Sequence, residues 1–145
     1  MSAVQYVIDN LVGELVRVAK SEADDFEETI KETEETKFEA VMELTLEKDE
    51  ILDMTIDALS NIIKHHKINK QFWVAITKRN WKLLKPIRNK YRESCDNLME
   101  MDEVLVGKGW LPESSYLEYA NNFKENLGFM DAVISRCEGS FGLVL

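Results

Sequence analysis

The chain has 145 residues, of which 45% are hydrophobic and 31% are charged, and it carries a formal net charge of −9 and two cysteines. These values predict one soluble globular domain over residues 1–145, and they exclude an intrinsically disordered chain and a disulfide-rich scaffold. No apolar run reaches the roughly 20 residues of a membrane span, and the N-terminus does not resemble a secretory signal. We therefore expect no membrane partner and a cytoplasmic location.

The first predicted element is an amphipathic helix that begins near Val4. Its apolar residues recur at the spacing of one helix face, and they are Val4, Val7, Ile8, Leu11, Leu15 and Val18. We expect this helix to reach about Glu32. The polar stretch from Glu32 to Lys37 is predicted to break it, and the capping-box pattern Thr36-x-x-Glu39 is predicted to start a further segment.

The central part of the chain predicts two more helices. A wide apolar stripe indicates a helix over about residues 48–66, and Asn69 has a side chain that can cap the next one. Pro86 is expected to end or kink that next helix, because proline lacks the backbone N–H that a helix interior needs.

The last part of the chain has a weaker pattern. Residues 86–114 are predicted to be less regular and to end in a loop at Gly107–Pro112. A capping box at Ser115-x-x-Glu118 predicts a helix that stops near Gly128, followed by a short last helix. Since the alternation typical of strands is scarce, the sequence predicts an all-α helical bundle.

Charge is divided along the chain. Residues 22–53 contain 14 Asp and Glu against 3 Lys, whereas residues 64–92 contain 10 Lys and Arg and no acid. Such blocks are usually solvated helix faces. The overall acidity argues against general nucleic-acid binding, because attraction to phosphates needs a basic surface. We therefore expect no nucleic-acid partner.

Two pairs of acids lie three residues apart, Glu22 with Asp25 and Glu50 with Asp53. Residues at this spacing share a helix face. If the two helices pack antiparallel, the four carboxylates meet, and a divalent cation relieves their repulsion. Oxygen ligands favour Mg²⁺, with Mn²⁺ as the alternative. Acids at this spacing are also common on exposed helices, so a solvated face is the other interpretation.

The basic segment offers groups that can bind phosphate and sugar. Lys78 and Lys82 lie on successive turns of one predicted helix and can neutralise charge on a departing pyrophosphate. Asn80 lies between them and offers both a donor and an acceptor. An exposed helix face is again the other interpretation. We expect His65 and His66 at a helix end, where a cationic imidazole suits the helix dipole.

The order of these motifs resembles the all-α nucleoside triphosphate pyrophosphohydrolases, the superfamily that includes MazG-type and phosphoribosyl-ATP pyrophosphohydrolases. Residues 49–54 (DEILDM) resemble the ExxD helix of that family, and residues 18–26 (VAKSEADDF) resemble the EExxE helix that precedes it. Residues 76–82 (ITKRNWK) are similar to its Asn/Lys segment, and residues 102–112 (DEVLVGKGWLP) are similar to a loop of some members.

The resemblance implies a helical bundle of that family's type and a Mg²⁺-dependent hydrolysis of a (deoxy)nucleoside triphosphate to the monophosphate and pyrophosphate. It assigns metal binding and catalysis to the acidic motifs, and substrate contacts to the basic segment: Glu22, Asp25, Glu50 and Asp53, and Lys78, Asn80 and Lys82, respectively. It also implies a homodimer or homotetramer, with sites near the subunit interface.

Two positions depart from the family pattern. Ser21 stands where the first Glu of the motif is found, and Asp25 stands where its last Glu is found. In an alternative register, Glu28 completes the metal site. These departures leave open a relative that binds nucleotides with little turnover, and the acidic segment leaves open a module that docks a basic protein partner. The resemblance does not extend over residues 115–145.

Overall fold

The structure, a computed structural model, describes residues 2–46 and 50–145, without the side chains of residues 44–46. Within them it contains four α-helices, which are α1 (Ala3–Leu46), α2 (Glu50–Thr77), α3 (Leu84–Gly107) and α4 (Glu113–Ser135). A 3₁₀ turn at Trp81–Leu83 precedes α3, and a π-helical segment at Arg136–Ser140 follows α4. The described residues form no strand, which confirms the predicted all-α class. None of their helices is both long and apolar enough to cross a membrane.

Helix α1 runs without interruption through Glu32–Lys37, where the sequence predicted a break. Glutamate and lysine are good helix formers, so a polar stretch without Gly or Pro has no reason to end a helix. The threonine hydroxyls are satisfied inside the helix, since Thr29, Thr33 and Thr36 each donate to the carbonyl four residues earlier at 2.8–3.1 Å. The predicted restart at Thr36 is therefore wrong.

Helix α2 likewise continues past the predicted boundary near residue 66 and through Asn69. Asn69 was expected to cap a new helix, but it lies inside α2 and is buried, as are His65, Phe72 and Ile76. These residues follow one another at three- and four-residue spacing, so the apolar face continues in phase on both sides of Asn69. One long helix replaces the two that were predicted.

Helix α2 ends at a turn that is defined by its backbone. Arg79 has a left-handed φ of 58°. Its N–H donates to the carbonyl of Ile76 at 2.9 Å, and the N–H of Asn80 donates to the carbonyl of Ala75 at 2.8 Å. These two bonds form a Schellman motif, which pairs carbonyls left over at a helix C-terminus. Pro86 then lies in the first turn of α3, where its missing N–H costs no helical hydrogen bond.

Helix α3 covers most of the region that was predicted to be irregular. Its buried residues keep a helical spacing, and they are Leu84, Ile87, Tyr91, Cys95 and Leu98. The helix ends in the predicted loop, where Gly109 has a φ of 74°. Trp110 donates its N–H to the carbonyl of Leu105 at 2.9 Å, so the Schellman geometry occurs a second time.

Helix α4 begins at Glu113, two residues before the predicted capping box at Ser115, and it continues through Gly128. Glycine inside a helix costs about 1 kcal/mol relative to alanine but does not by itself end the helix. The separate last helix predicted after Gly128 is therefore the end of α4 together with the π-helical segment.

The helices pack in chain order, α1 on α2, α2 on α3 and α3 on α4, whereas α1 and α4 form no extensive interface within the described residues. Lys70 pairs with Glu27 and Lys67 pairs with Glu34, so α1 and α2 run antiparallel. Helices α3 and α4 are also antiparallel, as shown by the pairs Lys85–Glu138, Arg88–Asp131 and Tyr116–Glu103. This arrangement leaves a groove between α1 and α4.

The core is centred on the half of the bundle that is remote from the α1–α2 connection. Ala19 and Ala23 are the α1 members of the main core cluster, where their small side chains allow close approach to α2. The largest fully buried side chains are Tyr91, Phe72, Ile76, Leu84, Met130 and Cys137. Phe141, Leu143 and Leu145 pack against this cluster, so the C-terminal residues contribute to the fold.

Candidate functional site

The four acidic residues predicted to bind metal lie far apart on the α1–α2 hairpin. Glu22 and Asp25 are near the middle of α1, whereas Glu50 and Asp53 are in the first turn of α2. In an antiparallel hairpin, residues at equal distance from the connection face each other, so Glu50 is level with the end of α1. Glu22 lies about 24 residues before that end, which is ~36 Å at the rise of an α-helix. Glu50 is instead paired with Lys108 at 3.3 Å.

The expectation that these four carboxylates converge within one chain is therefore wrong. No group of three or more His, Cys, Asp and Glu in the described ranges is arranged to hold a metal ion. The physical reason is the continuity of α1. A break at residues 32–37 would have placed the hairpin turn midway between the two acidic motifs, whereas α1 runs on to Leu46. Glu28, the alternative metal ligand, also lies in the middle part of α1, so it does not bring the acids of α1 close to Glu50 and Asp53. One chain does not fit a Mg²⁺ or Mn²⁺ site here, and magnesium dependence stays a prediction.

The three residues predicted to contact substrate remain together, at the corner between α2 and α3. Lys78 and Asn80 follow the end of α2, and Lys82 lies in the 3₁₀ turn, so they do not share one helix as predicted. All three are exposed, and their side chains form no ion pair or hydrogen bond with another described residue. This corner is separated from Asp53 by nearly the whole of α2, roughly 37 Å along the axis.

A cavity of about 360 Å³ lies between the helices, with side chains from all four around it. Its floor includes His65, Asn69 and Leu98, which are buried. Its rim includes Tyr119 and Asn122 of α4, which are exposed. Pockets that hold small molecules typically measure roughly 300–1,000 Å³, so this cavity has the size of a ligand site.

A second cavity of about 220 Å³ continues along the groove between α1 and α4. Phe26, Asn69 and Asn126 border both cavities. Glu22, which the sequence predicted as a metal ligand, borders the second one. Glu22 therefore borders this groove, far from Glu50 and Asp53.

Asn69 is the buried polar group at the centre of this groove. The residue is only 4% exposed, and its side-chain amide forms no hydrogen bond with another described residue, but the amide atoms remain accessible from the groove. The buried Nδ1 of His66, one helical turn away, also has no hydrogen-bond partner in the described chain. Buried polar groups are nearly always paired, because an unpaired one costs about 1–3 kcal/mol. A molecule in the cavity can supply the missing partners.

The two histidines lie in the interior of α2 and not at a helix end, which corrects the expectation from the sequence. Burial lowers the pKa of His65 to about 4, and the neighbouring His66 adds to this effect. Burial also lowers the pKa of His66. Both imidazoles are therefore neutral at pH 7, and each offers one donor and one acceptor nitrogen instead of a positive charge.

Ring packing holds His65 in place. Its centroid lies 4.6 Å from that of Tyr91 and 4.9 Å from that of Phe123. Its Nδ1 is 3.0 Å from the hydroxyl oxygen of Ser94. The hydroxyl of Tyr91 in turn accepts a hydrogen bond from Asn126 at 3.0 Å. These contacts give the cavity a rigid aromatic floor, which favours a preformed site.

Asp102 of α3 is the one described residue with a formal charge on the lining of the larger cavity. It is half-buried, and it forms no ion pair or hydrogen bond with another described residue. Burial raises the pKa of its carboxyl group. A carboxylate that is partly removed from water without a partner is less stable than a fully solvated one, so a donor in the cavity would stabilise this group.

The lining has the chemistry of a binding site. Aromatic and aliphatic walls surround a few polar groups, as in sites that orient small molecules. Among the described residues on the lining there is no Ser, Thr, Cys or Lys, whereas Asp102, Tyr119 and the two histidines are present.

Sequence reasoning missed this cavity, although two signals were present. His65 and Asn69 are four residues apart on the apolar face of α2, where a polar side chain needs a partner. Asn122 and Asn126 repeat this spacing on α4. However, the sequence does not show the order in which the helices pack. It therefore could not show that these two pairs line the same cavity.

The fold and the site define an antiparallel four-helix bundle with an interhelical cavity. Comparisons of the chain with protein-family models, with curated proteins and with solved structures find no match. The resemblance to the pyrophosphohydrolases thus depends on the short motifs alone and stays a prediction.

Proposed function

We propose that this protein binds a small organic molecule in the cavity between its four helices. The observation that carries the proposal is Asn69, a buried residue that lines both cavities and whose accessible amide has no hydrogen-bond partner in the described chain. The unpaired Nδ1 of His66 lies beside it on the same helix. A buried imidazole nitrogen and a cavity-facing amide, both without a partner in the described chain, can each form a hydrogen bond with a bound molecule.

The walls restrict the kind of molecule. Phe26, Phe123 and Tyr119 line the larger cavity and give it aromatic walls that suit an aromatic or flat body. No described Lys or Arg lines it, so a free triphosphate group is poorly suited to this site. The ligand is therefore a compact molecule with an apolar body and one or two polar groups.

A fragment screen by protein-observed NMR tests the proposal. Binding in the cavity is expected to shift the backbone signals of Asn69 and Asn122 together, because they lie on opposite sides of it. Ala58→Phe places a ring into the cavity that Ala58 lines, and it is expected to abolish binding. Ala132→Phe is the matched control, since Ala132 is an exposed residue of α4 that does not line the cavity.

The proposal also predicts ligand-dependent stability. At a ligand concentration about 100 times Kd, the free energy of unfolding rises by about 2.7 kcal/mol in urea titrations. The stabilisation should vanish in Ala58→Phe and persist in Ala132→Phe. Shifts confined to the outer surface, or equal binding by both variants, would remove the proposal.

Nucleotide hydrolysis is the second candidate, and the exposed corner of Lys78, Asn80 and Lys82 favours it. These side chains have no partner among the described residues and can bind phosphate and sugar groups. Because the acidic motifs are about 36 Å apart along one hairpin, this proposal requires a homodimer or homotetramer in which a second chain supplies one of the two motifs.

Pyrophosphate release from a panel of canonical and modified nucleoside triphosphates, with and without Mg²⁺, tests the second candidate. Asp53→Asn is expected to abolish release, and Lys82→Ala is expected to weaken substrate binding. Asp9→Asn is the control, because Asp9 is an exposed acid outside both motifs. If the wild-type protein releases no pyrophosphate from any triphosphate of the panel, hydrolysis is rejected and the cavity proposal is unaffected.

A further inference from the structure

Among the described residues, the side chains of formal charge that border the two adjoining cavities are both acids. Asp102 lines the larger cavity and Glu22 lines the smaller one, and no Lys or Arg of the described residues lines either. Neither carboxyl group forms an ion pair or a hydrogen bond with another described residue. The groove is therefore electronegative and lacks its own counter-charge.

The other titratable groups around the larger cavity do not compensate Asp102. His65 and His66 of α2 have pKa values lowered by burial, so they are neutral at pH 7. Tyr119 of α4 contributes an uncharged hydroxyl. The raised pKa of Asp102 has the direction expected for a carboxylate that burial separates from water without a cationic neighbour.

We infer that the cavity selects organic cations, in which an aromatic or aliphatic body carries a protonated amine or an amidinium, and that Asp102 pairs with the positive group. This inference rests on the proposed function, because it names the ligand class of the same cavity. An ammonium or amidinium N–H donates a charge-assisted hydrogen bond to a carboxylate. The pairing offsets part of the electrostatic penalty of burying either charge alone.

Two further features act in the same direction. The rings of Phe26, Phe123 and Tyr119 line the cavity, and ring faces attract cations in partly desolvated sites. The whole chain has a net charge of −9, which raises the local concentration of cations and repels anions. The amide of Asn69 remains available for a second N–H of the ligand.

Benzamidine, benzamide and benzoate form a suitable probe series. They have nearly the same size and planar shape, but at pH 7 they are positively charged, neutral and negatively charged, respectively. NMR titrations of the wild-type protein measure their affinities. For molecules of this size we expect benzamidine to bind with a Kd of about 0.1–10 mM. Benzamide is expected to bind at least about tenfold more weakly, and benzoate more weakly still.

Variants of Asp102 show whether this carboxylate sets the preference. Asp102→Asn is expected to lower the affinity for benzamidine to that for benzamide, and to leave benzamide unaffected. Asp102→Glu keeps the charge and should keep the preference, which guards against a loss caused by misfolding. Asp96→Asn is the matched control, since Asp96 is an exposed residue of α3 that does not line the cavity.

The outcomes separate the inference from the proposed function. If benzamide shifts the cavity signals at the same concentration as benzamidine, or if Asp102→Asn binds benzamidine normally, the charge preference is rejected and binding in the cavity stands. If none of the three compounds shifts the cavity signals, the inference fails. If no compound of the fragment screen shifts the cavity signals either, the proposed function is also rejected.

Discussion

His65 links the stability of the protein to pH. It is 4% exposed and lies against the rings of Tyr91 and Phe123. Burial lowers its pKa to about 4 in the folded protein, compared with about 6.5 in an unfolded chain. The unfolded chain therefore binds the proton more tightly. The stability contributed by neutral His65 is fully present above pH 6.5 and is lost as the pH falls from 6.5 towards 4.

Acidification from pH 7 to pH 4.5 is expected to remove about 3 kcal/mol through His65, at ~1.4 kcal/mol for each pH unit below 6.5. Urea denaturation at both pH values measures the loss. His65→Phe keeps a ring in the same packing and should lose less stability on acidification. At pH 7 this variant should be less stable by about 1 kcal/mol, because the contact to Ser94 is gone. An NMR titration of His65 with a midpoint near 6.5 would contradict the prediction.

At the scale of the element, the ends of the helices follow from backbone conformation. Helices α2 and α3 both end in a Schellman motif, with Arg79 and Gly109 at the left-handed position. Glycine adopts this conformation freely, whereas an L-residue with a Cβ is disfavoured in it by roughly 1–2 kcal/mol. The end of α2 therefore carries strain that the end of α3 avoids.

The two ends predict stability changes of opposite sign. Arg79→Gly is expected to raise the free energy of unfolding by about 0.5–1 kcal/mol, because the strain is relieved at some cost in chain entropy. Gly109→Ala is expected to lower it by about 1 kcal/mol for the converse reason. Chemical denaturation of the wild-type protein and of both variants measures the two changes in the free energy of unfolding. A destabilised Arg79→Gly would mean that the Arg79 side chain makes a stabilising interaction larger than the backbone strain.

The same two ends explain how much of the fold the sequence could predict. The loop at Gly107–Pro112 was predictable, because its glycine signals a left-handed residue. The end of α2 was not, because Arg79 carries no such signal.

The breaks predicted at Glu32–Lys37 and at Asn69 were wrong for another reason. At Glu32–Lys37 good helix formers continue α1 without a break, and at Asn69 the apolar face of α2 continues in phase. Helical spacing and the scarcity of strand-like alternation predicted the all-α class, but they did not determine the lengths of the helices.

At the scale of the whole molecule, the long α1–α2 hairpin decides which residues can meet. Each acidic pair shares a helix face, as local periodicity predicted. Their convergence required a hairpin turn midway between Asp25 and Glu50, and α1 instead continues to Leu46. The cavity also depends on how the helices pack, since it is lined by Asn69 of α2, Asp102 of α3 and Asn122 of α4. Residues so far apart in sequence become neighbours only through the packing order, which no short motif encodes.

This register can be measured directly with spin labels at Glu22→Cys and Glu50→Cys. The hairpin predicts a distance near 36 Å along the helix axis, whereas a turn midway between the motifs would place the two positions on adjacent packed helices, whose axes lie about 10 Å apart. Labels at Glu34→Cys and Lys67→Cys are the short-distance control, because these two side chains pair across α1 and α2. The native cysteines should not interfere, since both are buried and burial raises the pKa of Cys95 to about 12 and that of Cys137 to about 11.

Dilution with unlabelled protein makes this distance measurement decisive for both candidate functions. A long distance between Glu22 and Glu50 at every dilution supports the hairpin and leaves the acidic motifs apart, as the cavity proposal assumes. A short distance that disappears on dilution arises between chains, and it would place the acids of two subunits together, as hydrolysis requires. A short distance that persists on dilution would mean that one chain folds with its turn between the motifs, and the register of α1 on α2 would then be wrong.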